Sequence, residues 1–155
     1  MVLKRLELKI PPVVLLVLAA ILIVTTSRWS PTYDAHKQLR ATLSILMLIL
    51  ALSIAGAGVF EFRKKSTTVD PRKPQKASAL VTSGVYRITR NPMYVGFLLA
   101  LFSLTIYMGS FISLIYCVVF YAYMNSLQIT PEERFLKGIF GREFEVYCQR
   151  VRRWL

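Results

Sequence analysis

Three long stretches without a single charged residue, at positions 10–26, 41–60 and 93–129, constrain this chain more than any other feature. A bilayer core needs roughly 20 apolar residues per helical crossing, because every backbone polar group must be satisfied within the segment itself. The first two blocks have that length, and the third is long enough for two crossings. Hydrophobic residues make up 55% of the 155, yet the formal charge is +12. The two figures conflict for a soluble globule and agree for a membrane protein with basic loops. A nucleic-acid binder shares the charge but does not gather its apolar residues into uninterrupted blocks, so that class is set aside.

The blocks predict an all-α integral membrane protein of one domain with four transmembrane helices. Lys4, Arg5 and Lys9 precede the first block as they would a signal peptide. No A-x-A-like site follows, which favours a retained helix. In the second block Ser53, Gly56, Ala57 and Gly58 offer a small-residue face for close helix packing or have no special role. A polar loop over 63–92 contains Pro71, Pro74, Gly84 and Pro92. The third block breaks at Tyr107-Met108-Gly109-Ser110 and reads as a helical hairpin of two spans. A new helix is expected to begin near Pro131, with Glu132 and Glu133 at its positive dipole end. Phe135, Ile139, Phe140, Phe144 and Tyr147 then predict a C-terminal amphipathic helix. This arrangement places 17 lysines and arginines on one side and 3 on the other. The positive-inside rule therefore puts both termini in the cytoplasm. Residues 1–62 are two N-terminal spans, and 63–155 hold the chemistry.

Two cytoplasmic stretches are richest in reactive groups: residues 80–96, and residues 132–153 with the acidic pair Glu132-Glu133. Asn91-Pro92 favours a helix start whose free N–H groups suit an anion. Position alone reads Arg87 and Arg90 as inside-facing anchors, and Tyr86 and Tyr94 as an interfacial aromatic belt. Adjacent helical residues point about 100° apart, so Glu132 and Glu133 have different surroundings. One can face a site while the other meets Arg134 or a loop arginine; a dipole-favoured acidic pair is the plainer alternative. Two unpaired cysteines, Cys117 and Cys148, and one histidine, His36, support neither a disulfide framework nor a metal site.

Together the stretches resemble the isoprenylcysteine carboxyl methyltransferase and phospholipid methyltransferase superfamily. The first matches its G-x-Y-x-x-x-R-[HN]-P-x-Y-x-G pattern with Gly84, Tyr86, Arg90, Asn91, Pro92, Tyr94 and Gly96. The second matches E-E-x-x-L-x-x-x-[FY]-G-x-x-[FY]-x-x-Y with Glu132, Glu133, Leu136, Phe140, Gly141, Phe144 and Tyr147. A hairpin-length apolar block separates them, and the resemblance covers roughly residues 67–155. It implies an S-adenosylmethionine site built from Ser78, Ala79, Leu80, Val81, Tyr86, Asn91, Pro92, Met93, Tyr94, Glu132 and Glu133. It also implies catalytic roles for Glu132 and Arg90. Gln128 stands where the prenylcysteine branch has an arginine suited to a substrate carboxylate, so Gln128 is the expected substrate contact. A neutral amide binds a carboxylate less strongly than a guanidinium, which leaves amines, phospholipids and other lipophilic acceptors open.

The expected activity is methyl transfer to a lipophilic acceptor entering from the bilayer, with no metal and no nucleic acid. An amine acceptor must lose a proton, and no base is evident from sequence. The rivals are an NADPH-dependent reductase of the sterol type, which shares the Arg-x-Pro-x-Tyr stretch, and a noncatalytic membrane subunit. The acidic pair favours the methyltransferase. No charge lies inside the apolar blocks, which disfavours a transporter relay.

Overall fold

A computed structural model describes residues 7–31, 36–65 and 78–155. Lys4, Arg5, Pro71 and Pro74, named above, lie outside them. Helix α1 is Pro12–Ser27, α2 is Lys37–Lys64 and α3 is Pro92–Met108. Helix α4 is Leu114–Tyr123, followed by a π turn Met124–Ile129, α5 at Thr130–Phe140 and α6 at Arg142–Arg150. A single 3-10 turn, Gly84–Arg87, precedes α3. The described residues are helical apart from loops and one isolated parallel bridge between Thr89 and Arg152.

At 28 residues α2 is the helix long and apolar enough to cross a bilayer. The apolar helices α1 and α3 have 16 and 17 residues. Val13, Val17 and Ile21 of α1, Leu46, Ile49 and Leu52 of α2, and Ile115 and Val118 of α4 all face outward. Such an apolar exterior is the surface of a membrane protein, where lipid replaces water. Inside, Ile23 of α1, Leu101 of α3, Cys117 and Phe120 of α4 and Met124 and Ile129 of the π turn form the main core.

The most extensive helix contact, α2 against α3, rests on small residues. A side chain at Gly96 would put its Cβ 2.7 Å from the Ala51 carbonyl oxygen and 2.8 Å from the Ala55 Cβ. At Gly58 it would lie 3.1 Å from both Pro92 and Met93. The buried Ser44, 14 residues before Gly58 on the same helix face, accepts through its carbonyl from Ser103 at 2.7 Å. Close helix packing through small residues therefore occurs, but on Ala51, Ala55 and Gly58. Of the expected set, only Gly58 takes part; Ser53, Gly56 and Ala57 are exposed. At the other end, three hydroxyl pairs join the end of α1 and the residues after it to the turn before α4 and its first residues: Thr26 with Tyr116 at 2.6 Å, Ser27 with Ser113 at 2.7 Å and Ser30 with Ser110 at 2.9 Å.

Three local expectations need correction. The hairpin break falls later, over 109–113, because Gly109 takes φ +67° and closes α3 with its N–H on the Thr105 and Ile106 carbonyls. The helix α5 does begin beside Pro131, at Thr130, but as a continuation of α4 through the π turn and not as a new helix. Proline has no N–H for the Leu127 carbonyl, and the Leu8 N–H takes that acceptor at 3.2 Å. The Thr130 N–H and hydroxyl both reach the Asn125 carbonyl, five residues back. Finally, the C-terminal helix is two helices, because Gly141 adopts φ +50° and ψ −123° between them.

Gly96→Val should lower stability by roughly 1–3 kcal/mol, the cost of overpacking a close contact. Gly56→Ala has nothing within 4 Å of the new atom and should stabilise by about 0.5–1 kcal/mol through helix propensity. Circular-dichroism unfolding in detergent distinguishes the two.

Candidate functional site

The loop between α2 and α3 is pinned at both ends. Glu61, in the last turn of α2, accepts a hydrogen bond from the Ser83 hydroxyl, and its carboxylate lies against Gly84. Gly84 has φ +57° there, so both conformation and space call for glycine. Phe62 meets Tyr86 edge-on, with centroids 5.4 Å apart. The Tyr147 hydroxyl donates to the Tyr86 carbonyl at 2.8 Å, tying the 3-10 turn to α6.

This loop, α5 and α6 enclose a crevice of about 500 Å³, counting the part open to solvent. Ala79, Leu80, Val81, Tyr86, Arg90 and Asn91 line it from the loop side, and Glu132 and Glu133 from α5. Eight expected site residues thus come together. Phe62, Leu136, Phe144 and Tyr147 complete the lining. The last three lie in the sequence stretches already noted, on the inner face of the amphipathic pattern. Phe62 carried no sequence signal beyond ending an apolar block.

Tyr86 is only 4% exposed, and its buried hydroxyl has no hydrogen-bond partner among the described residues. Buried hydroxyls are rarely left so, and a ligand is one ordinary way to satisfy them. Burial holds its phenol far above the usual range, with Tyr147, Glu132 and Glu61 adding to the effect. It is therefore a neutral donor at any physiological pH.

The two glutamates divide as helix geometry requires. Glu133 takes Arg90 Nη2 on Oε1 at 2.7 Å and Arg153 Nη2 on Oε2 at 2.5 Å. Arg134 pairs instead with Glu7. Arg90 spends its remaining donors on Glu133 through Nε at 3.3 Å and on the Cys148 and Val151 carbonyls through Nη1. Among the described residues Glu132 receives only neutral donors: the Tyr94 hydroxyl at 2.7 Å and Gln128 Nε2 at 2.5 Å, both on Oε1. Burial pushes the Glu132 carboxyl up to about 7; its hydrogen bonds oppose the shift and the neighbouring Glu133 adds to it.

The other expected residues lie elsewhere. Ser78 is exposed, and Pro92 and Met93 pack against Gly58 of α2. Tyr94 and Gln128 are buried and reach Glu132 from inside the fold. Pro92, Met93 and Tyr94 fall outside the crevice because α3 begins at Pro92 and turns these side chains toward the helix bundle. The anion site expected at that helix start is also closed. The Asn91 N–H bonds to Thr89 Oγ1, and the Tyr94 and Val95 N–H groups bond to the Asn91 carbonyl. The described residues hold no cluster suited to a metal ion.

A carboxyl whose folded pKa is raised binds its proton more tightly when folded, so its contribution favours the fold most below about 4.5. That contribution falls away as pH rises from about 4.5 to about 7 and is flat beyond. The loss is on the order of 3 kcal/mol. Thermal unfolding in detergent should show this decline in the wild type and lose most of it in Glu132→Gln.

The sequence profile of the phospholipid methyltransferase family matches residues 39–143. A protein-S-isoprenylcysteine O-methyltransferase of Schizosaccharomyces pombe is 29% identical over 111 residues, which are 71% of this chain and 47% of that protein. Protein-S-isoprenylcysteine O-methyltransferase B of Arabidopsis thaliana is 30% identical over 112 residues, 72% of this chain and 56% of its own length. An uncharacterised protein of Haemophilus influenzae is 38% identical over 63 residues, all of its length and 41% of this chain. The matched region spans about half the length of the two named methyltransferases. No solved structure matches. The profile runs from α2 through the loop, the hairpin and the acidic pair, and the chain belongs to the phospholipid methyltransferase family.

Proposed function

We propose that this protein is a membrane methyltransferase that holds S-adenosylmethionine in the crevice between the 78–91 loop, α5 and α6. The observation that carries the reading is a buried Tyr86 hydroxyl without a partner, lining one crevice with a Glu132 carboxylate that has no cation, both among the described residues. Glu132 suits an ammonium group or ribose hydroxyls, and Tyr86 supplies a further polar contact. Phe62, Leu80, Val81, Leu136 and Phe144 give apolar walls for a flat ring system and exclude water. When bound, the cofactor supplies an electrophilic sulfonium methyl. The protein's part is then to bind, orient and dehydrate. Asn91 and Glu133 stay in the lining; Arg90, Tyr94 and Gln128 act as positioning residues, since each spends donors on one of the two glutamates.

The acceptor is a lipophilic molecule or lipid head group reached from the bilayer. The arginine on the crevice lining, Arg90, is committed to Glu133 and to carbonyls. Among the described residues a substrate carboxylate therefore meets no uncommitted guanidinium there, whereas an amine meets Glu132, which can take up its proton near neutral pH. The same commitment of Arg90 disfavours NADPH, whose extra phosphate needs a cation.

The membrane arrangement supporting this reading has α1, α2, α3 and α4 with its π turn as the four spans. α5 and α6 lie on the cytoplasmic side, with Phe135 and Ile139 directed at the interface. Both termini are cytoplasmic, with 17 of the 20 lysines and arginines on that side.

Calorimetry on purified protein should show binding of S-adenosylhomocysteine and none of NADPH; the reverse result would sink the proposal. Tyr86→Phe should weaken binding by about tenfold, the effect of one buried hydrogen bond. Glu132→Gln should weaken it further, and S-adenosylmethionine affinity should rise with pH through about 7 only when Glu132 is present. For topology, single cysteines are introduced with Cys117 and Cys148 replaced by serine. An impermeant maleimide should label Ile112→Cys on intact cells, and Gln149→Cys only after permeabilisation.

A further inference from the structure

Residues 151–154 form a strap bonded to Arg90 and Asn91 of the crevice lining. The Arg90 N–H donates to the Arg152 carbonyl at 3.0 Å, and Asn91 Nδ2 donates to the Arg153 carbonyl at 2.9 Å. Thr89 Oγ1 also donates to the Arg153 carbonyl, at 3.3 Å. These bonds fix the strap to the loop that carries Tyr86. On its other side, Arg153 Nη1 donates to Asn125 Oδ1 at 2.9 Å, and Trp154 stacks on Tyr121 with centroids 4.9 Å apart. The strap thus also grips the helix that runs through the π turn into Glu132 and Glu133.

We propose that Arg153 is a positioning residue of this site, holding Glu133 so that Glu132 is the carboxylate left without a cation at the crevice. The proposal rests on the reading of the crevice as a cofactor site. Arg90 reaches only Oε1 of Glu133; Arg153 is the cation on Oε2 and also donates to Oε1 through Nε at 3.2 Å. The Glu133 side chain is 18% exposed, so water compensates little for the loss of that guanidinium. The groups facing Glu132 are Tyr94 from α3, Gln128 from the π turn, Tyr86 from the 3-10 turn and Glu133 beside it. None is cationic. With Arg153 removed, the charge of Glu133 is less neutralised, and its repulsion of Glu132 grows.

The test reads the Glu132 titration directly, by carbon NMR of glutamate labelled at the side-chain carboxyl, with Glu132→Gln to assign the signal. Arg153→Met should raise the Glu132 midpoint by about one unit, the scale on which a nearby charge acts. Arg153→Met combined with Glu133→Gln should return the midpoint to that of the wild type or below, because the repelling charge is gone. Arg153→Lys, which keeps the charge and gives up the fork, should shift it by less than Arg153→Met. A purely structural arginine would lower thermal stability and leave the midpoint where it was, and that result overturns the proposal. If Arg153→Met does not fold, Arg153→Lys and Glu133→Gln alone decide: the first should raise the midpoint and the second lower it, and midpoints identical to the wild type in both overturn the proposal. The measurement needs no ligand, so a failure of S-adenosylhomocysteine to bind the wild type would sink the cofactor reading separately.

Discussion

A carboxylate with little water around it needs either a cation or several neutral donors, and here two such groups stand on successive residues of one helix. Their directions differ by about 100°, so no single partner serves both. Glu133 turns toward two guanidiniums, one from the loop before α3 and one from the strap after α6. Glu132 turns toward Tyr94 and Gln128. Neutral donors stabilise a carboxylate less than cations do, and burial leaves Glu132 titrating near neutrality. Compensating Glu133 requires segments from positions 90, 133 and 153 to converge, and the crevice is the space that convergence leaves.

The π turn makes this convergence possible. One residue more than an α-helix needs is wound into 124–129, which changes the angular register of everything after it relative to α4. Gln128 then stacks over Glu132, and Asn125 faces Arg153 and Trp154. Pro131 follows immediately and has no donor for the Leu127 carbonyl, which is why the chain near Leu8 can bond there. Leu8 adopts φ +57°, an unfavourable conformation for a leucine. The hydrogen bond to an otherwise unsatisfied carbonyl offsets part of that cost.

Much of the helical pattern was legible from sequence, because charge-free blocks leave few alternatives. The hairpin was visible too, through Gly109, although its turn runs later than the dipeptide pattern implied. The site was legible in part. Gly84, Tyr86, Asn91 and the acidic pair stood out through the motif stretches. Arg90 stood out as well, as an anchor by position and as catalytic by the resemblance, since sequence cannot show that it meets a carboxylate 43 residues on. The continuity of α4 with α5 was hidden, because Pro131 followed by two acids is also what a helix start looks like. Phe62 was missed, and Arg153 was noted only within the 132–153 stretch with no role of its own, for a common reason. Each reaches the site through long-range folding, one from the end of a span and one from the strap, and neither stands in a local pattern.

The apolar helices do more than anchor the crevice, and the glycines show how. Gly96 brings α3 against the backbone of α2, and Gly58 lets Pro92 and Met93 sit directly on the same helix. Pro92 begins α3, so its placement also fixes Arg90 and Asn91 just before it. Gly58 lies one turn before Glu61 and Phe62, which hold Ser83, Gly84 and Tyr86. The α2–α3 contact therefore sets both banks of the loop at once. A change of a few tenths of an ångström at Gly96 or Gly58 must pass to Tyr86 along two short, stiff routes. Helix packing in the apolar region and the geometry of the crevice are in this way one constraint, which explains why Gly96 belongs to the same sequence stretch as Tyr86 and Asn91.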